Sequence, residues 1–135
     1  MKILVTGASG FVGKCLCKHL TRRGHRVTAS VRSSKAPPIE GIERSVAVGD
    51  LGPNTDWTCA LEGQDAVIHL AARAHVMNEV SSDPEALYRR ANVEGTERLI
   101  QQMSEHNVSR LLFMSTVKVN GEQTINQPFT ETMTS

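Results

Sequence analysis

The sequence predicts an α/β fold built on a doubly wound parallel sheet, and three observations carry that reading. The chain opens on an apolar strand, Lys2–Thr6, that runs directly into the glycine turn Thr6-Gly7-Ala8-Ser9-Gly10-Phe11-Val12-Gly13. A helical pattern follows the turn at once. Beyond it, short apolar runs alternate with helical patterns, the signature of parallel strands joined by covering helices.

Taken in order, the first strand is Lys2–Thr6 and the first helix runs from Gly10 to about Arg23. Its buried stripe is read as Val12, Leu16 and Leu20, and Gly24 is its stop. The second strand is Arg26–Val31, and the loop Ser33 to Gly41 is marked by Pro37-Pro38. A third strand is expected near Arg44–Val48. A short helix is expected over Thr55–Leu61, capped by Asn54 or Thr55. The fourth strand, Asp65–Ala71, is apolar enough to be interior. The long helix runs from about Pro84 to His106, with Leu87, Ala91, Leu99 and Met103 on one face and Glu85 in a first turn that favours acids. The fifth strand is Arg110–Ser115. After Thr116 the periodicity decays, leaving Leu111-Leu112-Phe113-Met114 as an apolar edge that favours unwanted pairing. The expectation is therefore a Rossmann-type sheet truncated after the fifth strand, in a longer protein.

Composition narrows the function. The 135 residues suffice for one domain with a real core, and the net charge is +1. No basic stripe is present, so nucleic acid and membrane surfaces have no electrostatic support. No apolar run approaches membrane-spanning length, and the N-terminus does not have the form of a signal peptide. Cys15, Cys17 and Cys59 form neither a disulfide framework nor a zinc site. The five histidines have no metal-ligand spacing. The reading is a reduced, cytoplasmic protein without a metal.

In a doubly wound sheet the ligand lies across the C-terminal ends of the strands, so the residues after each strand carry the chemistry. Gly7 permits a sharp turn, Gly10 lets backbone approach a diphosphate, and Gly13 lets the helix sit close to the sheet. The spacing is G-x-x-G-x-x-G, with Ser9 where the commoner fingerprint has glycine. After the second strand comes Arg32, with no acid beside it. An acid there would hold a ribose 2′-OH, whereas an arginine suits a 2′-phosphate, so NADP is favoured over NAD. Arg32 can equally be a solvated cation or stack on adenine. Asp50 can accept from an adenine amino group or serve its own turn, and Leu51 can cover the ring. In Leu70-Ala71-Ala72 the two small residues at the strand end let backbone pass close beneath a ribose or diphosphate, or serve ordinary packing. His69 reads as a satisfied core histidine, and His75 carries no assignment. Asn92 and Gly95 are poor helix formers inside a helix. Asn92 is read as bracing the cofactor loop and Gly95 as permitting close packing on the sheet. Thr116, after the fifth strand, can place a hydroxyl at a substrate oxygen.

These motifs occur in order: Thr6–Gly13, Gly49-Asp50-Leu51, Val67-Ile68-His69-Leu70-Ala71-Ala72, Asn92–Thr96, and Phe113-Met114-Ser115-Thr116-Val117-Lys118-Val119-Asn120-Gly121. Together they resemble the N-terminal part of an extended short-chain dehydrogenase/reductase, within the NAD-dependent epimerase/dehydratase family of UDP-glucose 4-epimerase type. The resemblance implies that residues 1–135 are an NAD(P)-binding domain whose substrate domain lies elsewhere. It assigns cofactor contacts to Gly7, Gly10, Phe11, Val12, Gly13, Asp50, Leu51, Leu70, Ala71, Ala72 and Asn92. It makes Thr116 the catalytic hydroxyl that shares a hydrogen bond to the reacting oxygen. It also implies a UDP-sugar substrate; the family's homodimer packs the long helix together with the helix that follows it, and that second helix is not in this sequence, so the oligomeric state stays open.

Three departures qualify the resemblance. The catalytic Tyr-x-x-x-Lys pair is absent, since the sole tyrosine, Tyr88, is followed four residues on by Asn92. This chain alone is therefore expected to be inactive. Val31 stands where the epimerases usually carry aspartate, which weakens an assignment to NAD. Asn120 replaces a common tyrosine, a variant similar to a subgroup associated with surface-polysaccharide sugars. The expected activity is that of an epimerase or 4-keto reductase acting on a UDP-hexose or UDP-N-acetylhexosamine. A non-catalytic NADP(H) sensor or scaffold is the alternative.

Overall fold

The computed structural model describes residues 1–74, 83–121, 123–124, 128–130 and 132. Strands β1 (Lys2–Thr6), β2 (Arg26–Val31), β3 (Arg44–Ala47), β4 (Ala66–His69) and β5 (Leu111–Phe113) form one parallel sheet in the order β3-β2-β1-β4-β5. Ile3 pairs with Val27 on one side and Ala66 on the other, and Val67 pairs onward with Leu111. The order reverses between β1 and β4, so the crevice of a doubly wound sheet opens there.

The inner strands β1 and β2 are buried on both faces, as central strands of a parallel sheet are, whereas the edge strands β3 and β5 are largely exposed. Alternation along β1 sends Ile3 and Val5 to one core, with Cys17, Val27, Ala29 and Val31. Leu4 goes to the other core, with Trp57, Leu61, Val67, Leu99 and Met103.

Helix α1 spans Phe11–Arg22. Its buried face is Gly13 and Cys17, flanked by the partly buried Leu16 and Leu20, whereas Val12 is largely exposed. The expected stripe is thus one residue out at its start, because close approach at Gly13 sets the rotation of the helix. Gly24 ends the helix as read, at a φ of +80°. His25 N donates to Leu20 O and Gly24 N to Thr21 O, the paired bonds of a Schellman stop.

Helix α2 is shorter than expected, Thr58–Leu61, and neither Asn54 nor Thr55 caps it. Asp56 Oδ1 accepts from Thr58 N instead. Thr55 uses its hydroxyl within the preceding loop, accepting from Gly52 N and donating to Asp50 O. β4 is also shorter than the apolar run Asp65–Ala71, because Leu70 and Ala71 turn their amides away from the sheet to a side chain.

The long helix begins as read. Asp83 caps α3 (Pro84–Arg89) by accepting from Ala86 N, with Pro84 in the first turn. It is not one uniform α-helix: a π-helical turn, Arg90–Glu94, separates α3 from α4 (Gly95–Glu105). Asn107 ends α4 in the left-handed region at φ 59°. β5 lies at the sheet edge, and Leu112, Phe113 and Met114 are each more than half exposed.

Candidate functional site

At the C-terminal end of β1, Gly7 adopts φ +65° and lies so close to the end of β4 that a Cβ would come within 2.8 Å of Ala71 N. A Cβ on Gly13 would stand 2.7 Å from Ala8 Cα. Glycine is therefore required at both positions for the turn to close on itself and on β4. Gly10 differs. It is the N-cap of α1, its N–H donates to Gly7 O at 3.0 Å, and a Cβ there would meet Gly7 O at 3.2 Å. No side chain caps this helix and no acid lies in its first turn. The amides of Phe11, Val12 and Gly13 are thus the helix's open donors, directed where an anion is favoured. Phe11 is 89% exposed beside them.

The end of β4 is held by side chains rather than by the sheet. Thr6 Oγ1 accepts from Leu70 N at 3.1 Å and Ala71 N at 3.0 Å. The same oxygen lies 2.7 Å from His69 Nδ1, and His69 Nε2 lies 3.1 Å from Thr96 Oγ1. His69 is thus the satisfied core histidine expected. Burial pushes its pKa down to about 4 from the ordinary 6.5. One residue past Ala72, Asn92 grips the Arg73 backbone both ways. Its Oδ1 accepts from Arg73 N at 2.7 Å, and its Nδ2 donates to Arg73 O at 3.0 Å. Asn92 thus braces the segment after β4 from within the π turn, a kind of turn frequent at functional sites. The Arg73 guanidinium lies over the Tyr88 ring, 5.4 Å from its centre. Gly95, expected to lie against the sheet, lies instead against the loop after β3. A Cβ there would meet Leu51 Cγ at 2.8 Å and Gly52 N at 3.0 Å.

At the ends of β2 and β3, Arg32 and Asp50 form an exposed ion pair. Leu51 is half-buried and packs on the core beneath the sheet. At the far end of the crevice, the exposed Thr116 accepts from Lys118 N through Oγ1 and starts a 3₁₀ turn, Val117–Asn120. With Ser115, Val117, Asn120 and Phe129 it lines a shallow hollow. The structure therefore gathers the glycine turn, Leu70–Ala72 and Asn92 at the switch point, with Arg32–Asp50 and Thr116 at the ends of the flanking strands. His75 lies outside the described residues. Sequence reasoning does not single out Thr6 or Thr96. The four-residue spacing of Asn92 and Thr96, which puts both on one helical face, is the available signal.

No group of His, Cys, Asp or Glu among the described residues could hold a metal ion. No helix among them is long and apolar enough to cross a membrane.

Fold and site define a doubly wound α/β domain with a tight glycine turn and an uncapped helix N-terminus at its switch point. The chain belongs to the NAD dependent epimerase/dehydratase family, whose model matches residues 3–135. It is 39% identical over 123 residues to a UDP-glucose 4-epimerase of Vibrio cholerae, covering 91% of this chain and 37% of that protein. It is 38% identical over 124 residues to a 2-alkyl-3-oxoalkanoate reductase of Stenotrophomonas maltophilia, covering 92% of this chain and 36% of that protein. Among solved structures, UDP-glucose 4-epimerase from Bifidobacterium longum in complex with NAD+ and UDP superposes with a TM-score of 0.77. It is 26% identical, matching 100% of this chain and 42% of its own. The chain thus spans a little over a third of the length of the two relatives named here.

Proposed function

We propose that residues 1–135 form the cofactor domain of an NAD(P)-dependent nucleotide-sugar epimerase or 4-keto reductase. The observation that carries this reading is the uncapped N-terminus of α1 above a turn that tolerates no Cβ at Gly7 or Gly13. Such a cradle fits a dinucleotide diphosphate, and a nicotinamide held beyond it supplies hydride transfer. The cofactor contacts fall on Gly7, Gly10, Phe11, Val12 and Gly13 around the diphosphate and on Leu70, Ala71 and Ala72 along the ribose. Asn92 holds the loop, and Arg32, Asp50 and Leu51 meet the adenosine end.

Thr116 is the proposed hydroxyl for the reacting oxygen. Its Oγ1 already accepts from Lys118 N, which leaves its own hydrogen for a substrate oxygen. The general acid/base is assigned to no residue of this chain, because Tyr88 lacks a lysine partner and lies beneath Arg73. The substrate proposed is a UDP-hexose or UDP-N-acetylhexosamine for surface polysaccharide. The names of the epimerase relatives support the sugar. The oxoalkanoate reductase in the same family sets the competing substrate class.

The test is calorimetric titration with NAD+ and NADP+ of the protein and its Gly10→Val variant. Binding that the Gly10→Val change abolishes supports the reading, and equal affinities of the two proteins sink it. Assay of the longest natural form of the protein with UDP-glucose, UDP-N-acetylglucosamine and a 3-oxoalkanoate then separates the substrate classes.

A further inference from the structure

We infer that His69 is a positioning residue of this site: as the neutral Nε2–H tautomer it fixes the direction of one hydrogen-bond chain that ties the glycine turn to the loop after β4.

The tautomer follows from two independent ends of the chain. At one end, Thr6 Oγ1 takes the amide hydrogens of Leu70 and Ala71, at 3.1 and 3.0 Å. A hydroxyl has two lone pairs and one hydrogen. Both lone pairs are engaged, so the hydrogen must go to His69 Nδ1, 2.7 Å away, and that nitrogen must be bare. At the other end, Thr96 Oγ1 lies 2.7 Å from Asn92 O. Only the hydroxyl hydrogen can join two oxygens at that distance, since the carbonyl has none. Thr96 Oγ1 therefore has a lone pair, not a hydrogen, for His69 Nε2 at 3.1 Å, so that nitrogen carries the proton. Both ends demand the same form.

The chain then reads in one direction. The amides of Leu70 and Ala71 donate to Thr6, Thr6 to His69, His69 to Thr96, and Thr96 to Asn92 O. The Asn92 side chain in turn holds Arg73 N and O. Every polar atom of the imidazole and both hydroxyls has a defined role; the opposite tautomer would press a third donor on Thr6 Oγ1 and leave Nε2 and Thr96 Oγ1 as two acceptors facing each other. Full satisfaction of this kind specifies one arrangement rather than several. What it specifies is the placing of Ala71 N, against which Gly7 is packed with no room for a Cβ. The inference rests on the dinucleotide reading, because the segment so placed is the one proposed to run beneath the ribose and diphosphate.

The test is the ring-nitrogen NMR signature of His69 in the protein near neutral pH. It is combined with NAD+ and NADP+ titrations of the wild type, Thr96→Val and Thr96→Ser. The expected signature is a single Nε2–H tautomer. Thr96→Val is expected to weaken dinucleotide binding about tenfold, and Thr96→Ser to stay within about twofold of wild type. An Nδ1–H form or a fast mixture in the wild type overturns the inference, as does a folded Thr96→Val protein with unchanged affinity. If Thr96→Val does not fold, the wild-type signature decides alone. A wild type that binds neither dinucleotide overturns this inference together with the proposed function, whereas a wrong tautomer with intact binding overturns only the role of His69.

Discussion

Arg32 Nε lies 2.8 Å from Asp50 Oδ1, joining the loop after β2 to the loop after β3 on the β2–β3 side of the crevice. The two side chains are 83% and 85% exposed, so the pair contributes no more than about 1 kcal/mol to stability. Its interest lies in competition. A 2′-phosphate and the Asp50 carboxylate would seek the same guanidinium. Asp50→Asn is therefore expected to raise NADP+ affinity a few-fold over NAD+ while moving the melting temperature little. Arg32→Asp is expected to move preference toward NAD+. Parallel titrations with both dinucleotides check this, and a ratio unchanged in both variants removes Arg32 from the site.

The three turn glycines are expected to fail differently. Gly13→Ala drives a Cβ into Ala8 and Gly7→Ala drives one into Ala71 N, at a left-handed φ in the second case. Each should destabilise the fold by about 2 kcal/mol or more, seen as an early urea midpoint. At Gly10 the contact is milder, 3.2 Å to Gly7 O. Gly10→Ala should fold with a loss nearer to about 1 kcal/mol and yet bind dinucleotide poorly, because its methyl stands at the helix N-terminus. Equal destabilisation at all three positions would contradict this division.

Acid should loosen the protein through His69. Its folded pKa is depressed to about 4, whereas the unfolded side chain titrates near 6.5. Below pH 6.5 the unfolded chain gains a proton that the folded one refuses. The contribution is complete above 6.5 and is lost as pH falls toward about 4, below which this residue costs nothing further. The loss is on the order of 3 kcal/mol. Urea melts at about pH 7, 5.5 and 4.5 should show a decline that is much reduced in a folded His69→Gln variant.

The stop of α4 offers a stabilising change. Asn107 holds φ 59°, with Val108 N bonded to Met103 O and Asn107 N to Ser104 O. Glycine takes that conformation without a Cβ penalty. Asn107→Gly should stabilise by roughly a few tenths of a kcal/mol, and Asn107→Ala should destabilise by about 1 kcal/mol. Thermal melts of the two variants, moving in opposite directions, check this.

The strands were legible because β1 and β2 are short apolar runs bounded by turn residues, and the Gly24 stop follows the same local logic. What was illegible depends on contacts between distant elements. Val12 sits at an apolar position yet is exposed, because Gly13 against Ala8 decides which side of α1 faces the sheet. The short helix begins late because Thr55 is engaged with Gly52 and Asp50. In the site, glycine spacing located the turn, and the poor helix propensity of Asn92 marked a residue with another task. Thr6 and Thr96 carry no such mark. Their importance appears only when His69 stands between them.

The π turn at Arg90–Glu94 has a consequence for register. Such a turn holds one residue more than an α-turn, and each residue advances a helix by about 100°. Deleting one residue there would let the helix close up as unbroken α-helix with Tyr88 and Gly95 keeping nearly their present faces, but it would remove the turn that presents the Asn92 side chain to Arg73. The extra residue is thus a spacer absorbed within one turn, which leaves the two ends of the rod in phase. A one-residue deletion inside the turn should therefore loosen the grip on Arg73 more than the fold, whereas the same deletion elsewhere in the helix would swing one end about 100° out of phase with the other.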